Sequence, residues 1–575
     1  MVDVRTHYDV IVVGSGAGGG TVAYELAQAG KKVLILERGG HLPRASVNWD
    51  PRYVFIDRQY RTDEHWLDKH HKSFQPNTHY WVGGNTTFYG AALFRFRPGD
   101  FEERVHHGGA VSPAWPISYD DLKPWYLKAE QMWKVHGRRG VDPTERADEP
   151  DYAYPPLRHD PTIANLEQHM RSLGWRPSPI PLGIMRDDDH PHLSDCIRCL
   201  TCGGYPCLVR AKSDARTIAL DPILRLPNVT LLTGRKVVKL ETDPTGTIVR
   251  RVVAEGPDGF EAFAGDVVVL AAGAVNTAVI LLSSDGGPHS KGLANGSDQV
   301  GRNYMFHTLS AVISITPAKV HADFPKTLCV NDFYWGDPAG GFDYPMGHIQ
   351  LLEHMEGHVL EGQIKEEGVD DHFFPDILAN AAADRMLAFL CISEDLPHPD
   401  NRVSLALNRI KLDYSHHDLE GHHRLVRKLD YAMAHFDDGG HPFTRHHFQV
   451  HKMLPLYGTA HMCGTTRMGR DPKTSVVDAN CKAHQLDNLY ITDSSVFPSS
   501  AAVNPTLTIV ANAMRVAEHL KTRMGASPSP SPEPTPPPPP AAGPASDMSV
   551  AEIEQSIDAM RRRPRRPFWP FGGKT

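Results

Sequence analysis

A buried strand that breaks into glycines and resumes, one helix later, as a second strand constrains this chain most. Tyr8-Asp9-Val10-Ile11-Val12-Val13 is apolar and β-branched, as a buried parallel strand should be. Gly14-Ser15-Gly16-Ala17-Gly18-Gly19 follows. Thr21 to Ala29 reads as a helix with Ala23, Leu26 and Ala27 on one face, and Gly30 ends it. Lys32-Val33-Leu34-Ile35-Leu36 is the next strand, and Glu37 closes it. Gly14 permits a tight turn, Gly16 lets the backbone approach a pyrophosphate, and Gly19 lets the helix pack on the strand. The helix start, with Ala17, offers free N–H groups and the positive end of a dipole. Glu37, 18 residues after Gly19, is placed to accept hydrogen bonds from a ribose. The unit predicts dinucleotide binding without choosing between NAD and FAD.

The bulk numbers narrow the class. A chain of 575 residues can hold two or three domains and a large core. Its 41% hydrophobic and 22% charged residues are ordinary for a soluble globular protein. A formal net charge of -8 argues against nucleic acid as the partner. No apolar run reaches the length of a transmembrane helix, and the first residues carry no signal-type core, so the expected compartment is the cytoplasm. With 33 histidines in the chain, one histidine alone carries little weight.

Three later stretches make the reading specific. Trp81-Val82-Gly83-Gly84-Asn85-Thr86-Thr87-Phe88-Tyr89-Gly90-Ala91 is a second small-residue loop. Asp266 to Leu270 is a buried strand that breaks into Ala271-Ala272-Gly273-Ala274 and a helix. Near the other end stand His461-Met462-Cys463-Gly464-Thr465-Thr466-Arg467-Met468-Gly469, then Asp493, then Asn504-Pro505-Thr506-Leu507 opening an apolar helix. With the N-terminal fingerprint, this ordered set resembles the glucose–methanol–choline (GMC) flavoprotein oxidoreductases over roughly residues 8–522. The resemblance implies an α/β chain: a Rossmann-like FAD-binding domain with a β-sheet-based substrate domain. Residues 1–305 would be the first part of the FAD domain, 306–454 the substrate domain, and 455–522 a return to the FAD domain.

The resemblance also implies site residues. Gly83, Gly84, Asn85, Thr86 and Tyr89 would lie against flavin and pyrophosphate, and Val237 would contact adenine through its backbone. Ala272, Asp493, Pro505 and Thr506 would complete the cofactor site. His461 would match the family's active-site histidine, and Asn504 its partner. Members with covalent flavin carry histidine where this chain has Phe88, so the expected FAD is non-covalent.

Alcohol oxidation needs a group to take the hydroxyl proton while a hydride leaves carbon for the flavin. Imidazole titrates near neutrality and suits the first task. An amide can hold the same oxygen so that the C–H bond is aimed. His461 is the expected proton acceptor and Asn504 the positioning group. Asn504-Pro505 has a plain alternative as N-cap and first residue of a helix. The reaction alternative is an FAD-containing lyase of the same fold, similar to hydroxynitrile lyases.

Cys196, Cys199, Cys202 and Cys207 fall within twelve residues, near an insertion at 190–210. Their spacing is compatible with an iron–sulfur cluster or zinc, and equally with reduced cysteines packed near the flavin. The cysteine cluster, with a possible anchoring tail at the end of the chain, tilts the expectation slightly towards a dehydrogenase over an oxidase. Residues 526–575 form a Pro-rich linker, expected to be disordered, and a short basic and aromatic tail. The tail could dock on a protein or an anionic membrane surface, which would make the protein peripheral there.

Overall fold

The apolar runs of the N-terminal unit and the Asp266–Leu270 stretch become neighbouring strands of one sheet. The computed structural model describes residues 6–316, 318–354, 383–436, 448–458 and 460–525, with Glu552 and Gln555. β1 (His7–Val13) and β2 (Val33–Leu36) pair in parallel, Val12 opposite Ile35, and α1 (Ala17–Gln28) crosses between them. The strand Gly259–Leu270 pairs in parallel with β1 on its other side, Val12 opposite Val269. Val229–Leu232 extends the sheet beyond β2, and Leu489–Ile491 pairs in parallel with Val268–Leu270. The first half of Gly259–Leu270 also forms an antiparallel meander with Val249–Gly256 and Lys236–Thr242. The fully buried ends of these strands make them apolar on both faces, which is what a sheet with covered faces demands.

α1 begins at Ala17, four residues before the expected Thr21. Helix propensity disfavours three consecutive glycines, but packing overrides it. A Cβ on Gly19 would strike the Gly14 carbonyl, and one on Gly18 the Thr492 carbonyl. Gly14 itself has φ +96°, a conformation that other residues reach only with strain.

The second sheet is antiparallel throughout, in the order Phe448–Met453, Thr308–Ile315, Met386–Ser393, His348–Leu351, Leu328–Val330, Ser178–Pro179. Its last strand comes from residues 178–179, well before the 306–454 segment. The helix Glu420–Ala434 buries Leu425, Val426, Leu429 and Met433 in a core shared with Val312, Leu387 and Phe389. The other side of this sheet turns Gln350, Leu352 and Leu390 towards a large cavity. The architecture is therefore mixed α/β, with a Rossmann-like parallel sheet and an antiparallel sheet. Among the described residues no helix is long and apolar enough to cross a membrane. The Pro-rich tract and the basic, aromatic tail expected at 526–575 lie outside the described residues, apart from Glu552 and Gln555.

Candidate active site

The turns that leave the carboxyl ends of the parallel strands converge on one cavity of about 1350 Å³. This is where an open α/β sheet places its ligands. Gly14, Gly16, Ala17, Glu37, Gly84, Asn85, Thr86, Tyr89, Val237, Ala272, Asp493, Pro505 and Thr506 all line it, with His461 and Asn504. Gly19 and Gly83, expected at the cofactor, stand behind the wall and shape it.

A Cβ on Gly16 would meet nothing within 4 Å, so this backbone faces open space. Gly16 is also the N-cap of α1 and brings no side chain to cap it. The first N–H groups of the helix are thus left for an anion. Glu37 is buried: its Oε2 accepts from the Ser15 amide (3.1 Å) and hydroxyl (2.6 Å), and its Oε1 from the Gly39 amide (2.8 Å). Burial pushes its carboxyl upwards, against the pull of those hydrogen bonds. A carboxylate has about four acceptor positions, so room remains for a ribose hydroxyl. Ser15, which the glycine pattern does not single out, also accepts from the Gly83 amide at 3.1 Å and so ties the two glycine loops together.

Several expected cofactor residues act through the backbone instead. Thr86 donates to the Gly83 carbonyl (2.6 Å) and accepts from the Ala215 amide (3.0 Å). The Tyr89 hydroxyl donates to the Ser213 carbonyl, and the Asn85 side chain accepts from the His79 amide at 3.0 Å. Asp493 accepts from Thr277 Oγ1 (2.5 Å) and from the amides of Gly273 and Ser495 (both 2.9 Å), pinning two cavity turns. Phe88 is buried and stacks on His79, with ring centroids 4.1 Å apart.

The last helix bears on the capping alternative for Asn504. It runs from Thr506 to Arg523 with Pro505 as N-cap and no side-chain cap. Asn504 thus lies outside the helix, and its buried Oδ1 has no hydrogen-bond partner among the described residues. A missing cap costs about 1 kcal/mol. Burial of Leu507, Val510, Met514 and Leu520 outweighs it, at about 1.5–3 kcal/mol for each large side chain. The helix holds without a cap, and Asn504 stays on the cavity wall.

His461 is half-buried and lines the cavity. Its Nδ1 lies 3.0 Å from Nδ1 of His307, and His307 Nε2 lies 2.9 Å from the Ser500 carbonyl. A carbonyl only accepts, so His307 Nε2 carries the hydrogen. Burial drives His307 down to about 4, so near neutral pH its Nδ1 is a bare acceptor. The hydrogen on the His461 side must then sit on Nδ1, which leaves Nε2 as a lone pair. Burial, the neighbouring His307 and the Lys326 ammonium hold His461 well below the usual imidazole range. The pair is therefore built to keep His461 neutral and in one tautomer. His307 is an ordinary member of a histidine-rich chain, and only its position across the cleft marks it.

The cysteine expectation is corrected. Among the described residues no three or more His, Cys, Asp or Glu side chains come together as a metal site. Cys196, Cys199, Cys202 and Cys207 are all free thiols. The loop turns at Arg198 and Leu200, both with positive φ, and keeps the thiols near one another without converging three of them as ligands. Cys199 packs beside Trp49 and Leu208, whereas Cys196 and Cys202 pack on the main core. Burial, with the neighbouring thiols of Cys199 and Cys207, pushes the Cys196 thiol up to about 12. The buried Lys212 donates to the carbonyls of Tyr89, Cys202 and Tyr205 at 2.7–3.0 Å and joins this loop to the second glycine loop.

Comparison with known proteins shows the family. The family models described as GMC oxidoreductase match residues 9–309 and 395–513, and the chain belongs to that FAD-dependent family. Among its relatives, 6'''-hydroxyparomomycin C oxidase of Streptomyces lividus is 30% identical over 90% of this chain and 92% of its own. Paromamine 6'-oxidase of Streptomyces fradiae is 30% identical over 89% and 91%. 2-Methyl-1,2-propanediol dehydrogenase of Mycolicibacterium austroafricanum is 25% identical over 90% and 95%. The crystal structure of pyridoxine 4-oxidase from Mesorbium loti superposes with a TM-score of 0.61, at 20% identity, over 90% of this chain and 99% of that one, and shares the fold. The chain is thus an oxidoreductase of a family that acts on CH–OH donors.

Proposed function

We propose that the protein oxidises the CH–OH group of an alcohol or sugar-like substrate, with His461 as base and Asn504 positioning the hydroxyl. The observation that carries the reading is the His461–His307–Ser500 chain, which supports a bare Nε2 on the wall of the cofactor cavity. The residues fit FAD: the open cradle at Gly16, the uncapped start of α1, the Glu37 carboxylate and Val237 all line one cavity. FAD, when bound, supplies the hydride acceptor.

The chain's own groups supply the rest. His461 Nε2 takes the hydroxyl proton, and the charge that develops on oxygen is met by the Asn504 amide. Asn504 Nδ2 can donate to that oxygen while its partnerless Oδ1 takes a second donor. Two groups on one oxygen fix the direction of the C–H bond. The family resemblance puts Phe88 where covalent members carry histidine, and this supports FAD held without a bond, which denaturation would release.

The cysteine argument for a dehydrogenase falls away with the metal site. The two relatives at 30% identity are oxidases by name, which favours molecular oxygen as acceptor. The test is anaerobic mixing with a panel of alcohols and sugars, followed by admission of oxygen. The expected outcome is bleaching of the flavin band by at least one alcohol, then rapid recovery in air. A flavin that no alcohol or sugar reduces would leave the lyase alternative standing.

A further inference from the structure

Lys326 and Glu353 meet on the wall of the cavity that holds His461; they belong to none of the cofactor motifs, and Lys326 reaches the proton acceptor only through its charge. Lys326 Nζ donates to Glu353 Oε1 at 2.7 Å, with the side chains only 5% and 14% exposed. The register of the antiparallel sheet brings them together. Lys326 precedes the strand Leu328–Val330 and Glu353 follows His348–Leu351, and those strands pair with Cys329 opposite Gln350. Two glycines make the room. A Cβ on Gly90, beside Tyr89, would run into the ammonium and carboxylate, and one on Gly203 would run into the Glu353 carboxylate. A desolvated ion pair stabilises a fold poorly, so its presence at a ligand cavity asks for another use. The ammonium engages Oε1 and leaves Oε2 able to accept. Leu352 and Leu390 add apolar wall, and Gln350 a polar amide.

We propose that Lys326 and Glu353 form a specificity subsite that selects alcohols carrying a second hydrogen-bond donor, a hydroxyl or an ammonium, away from the carbon being oxidised. Glu353 Oε2 accepts from that donor, and Lys326 holds the carboxylate in place. The substrate class is then a polyol, sugar or amino alcohol rather than a simple aliphatic alcohol. This assignment rests on the alcohol-oxidising reading above.

The test compares anaerobic flavin reduction by 1-butanol, erythritol and 2-amino-1-butanol in the FAD-loaded full chain, in Glu353→Gln and in Gly203→Ala. FAD content and melting temperature show that each variant is folded. The expected wild-type result is a higher kcat/KM for erythritol or 2-amino-1-butanol than for 1-butanol, and the preferred one names the donor. In both variants that preference should fall by roughly 10- to 100-fold, the worth of one hydrogen bond to a charged group. Gly203→Ala displaces the carboxylate without removing it, so it separates position from charge. A wild type without the preference, or a preference unchanged in both variants, overturns the subsite alone. A flavin that none of the three, nor any other alcohol or sugar, reduces overturns the alcohol reading with it.

Discussion

At the scale of single residues, the account turns on which polar atoms are already engaged and which are left for a ligand. Asn504 is the sharpest case, because its sequence context serves a helix cap as well as a catalytic group. The structure places Pro505 at the cap and leaves Asn504 Oδ1 buried without a partner. Asn504→Ala should therefore lower the rate of flavin reduction by about 10- to 100-fold, the effect of losing one hydrogen bond to developing charge. Its melting temperature should stay within a few degrees of wild type, since no cap is lost. A large drop in melting temperature with an unchanged rate would assign Asn504 to the helix. His461 was legible from its motif, whereas His307, Lys326 and Glu353 were not. Each lies in a stretch without local pattern and acquires meaning from a partner across the fold: His307 from a histidine 154 positions away, Lys326 from Glu353 on the next strand.

At the scale of elements, the β1–α1–β2 unit was readable because each part is local: a β-branched run, a glycine turn, a helix and a closing acid. The start of α1 was not, because contacts of Gly18 and Gly19 with Thr492 and Gly14 outweigh poor propensity. The strands Thr308–Ile315 and Met386–Ser393 coincide with apolar runs of the sequence, and the helix Glu420–Ala434 with an amphipathic one. Their pairing order, and the arrival of Ser178–Pro179 in the same sheet, had no local signal. The four cysteines misled because thiols close enough to influence one another need not converge on one point as metal ligands do. On the proposed reading, the element that meets the pyrophosphate is the uncapped start of α1. Gly16→Val puts a branched side chain into the open cradle while leaving the helix hydrogen bonds in place. Purified Gly16→Val should carry little or no FAD and retain wild-type far-ultraviolet circular dichroism. Full FAD occupancy would show that the pyrophosphate lies elsewhere.

At the scale of the whole molecule, the charge state of the interior predicts acid sensitivity. Burial holds His79 and His307 at about 4, and His348 and His422 at about 3. A histidine that is neutral in the fold takes up a proton on unfolding once the pH drops below about 6.5, so the unfolded chain binds more protons and stability falls as pH falls towards 4. Each shift of roughly 2.5–3.5 pH units corresponds to about 3–5 kcal/mol. Asp100 and Asp395, pushed up to about 7 by burial, act in the opposite sense: the fold keeps their protons, and they add stability as pH falls from 7 to 4. Burial also raises Glu37, Glu145, Asp214, Asp430 and Asp493, and it lowers His136, His159, His416, His417, His461, His484 and His519. Lowered histidines outnumber raised carboxyls, so the melting temperature should fall from about pH 6.5 to 4.5. A melting temperature that rises over that window would mean that the histidines are charged in the fold.

The central claim also belongs to this scale: two ends of the chain more than 400 residues apart build one site, the first to hold FAD and the last to deliver the reacting hydroxyl. His461→Ala, loaded with FAD and mixed anaerobically with an alcohol that reduces the wild type, tests both halves in one sample. The account predicts FAD bound as in the wild type and flavin reduction slowed by about 10²- to 10⁴-fold, the usual worth of a positioned base. Flavin reduction at the wild-type rate in that variant would contradict it.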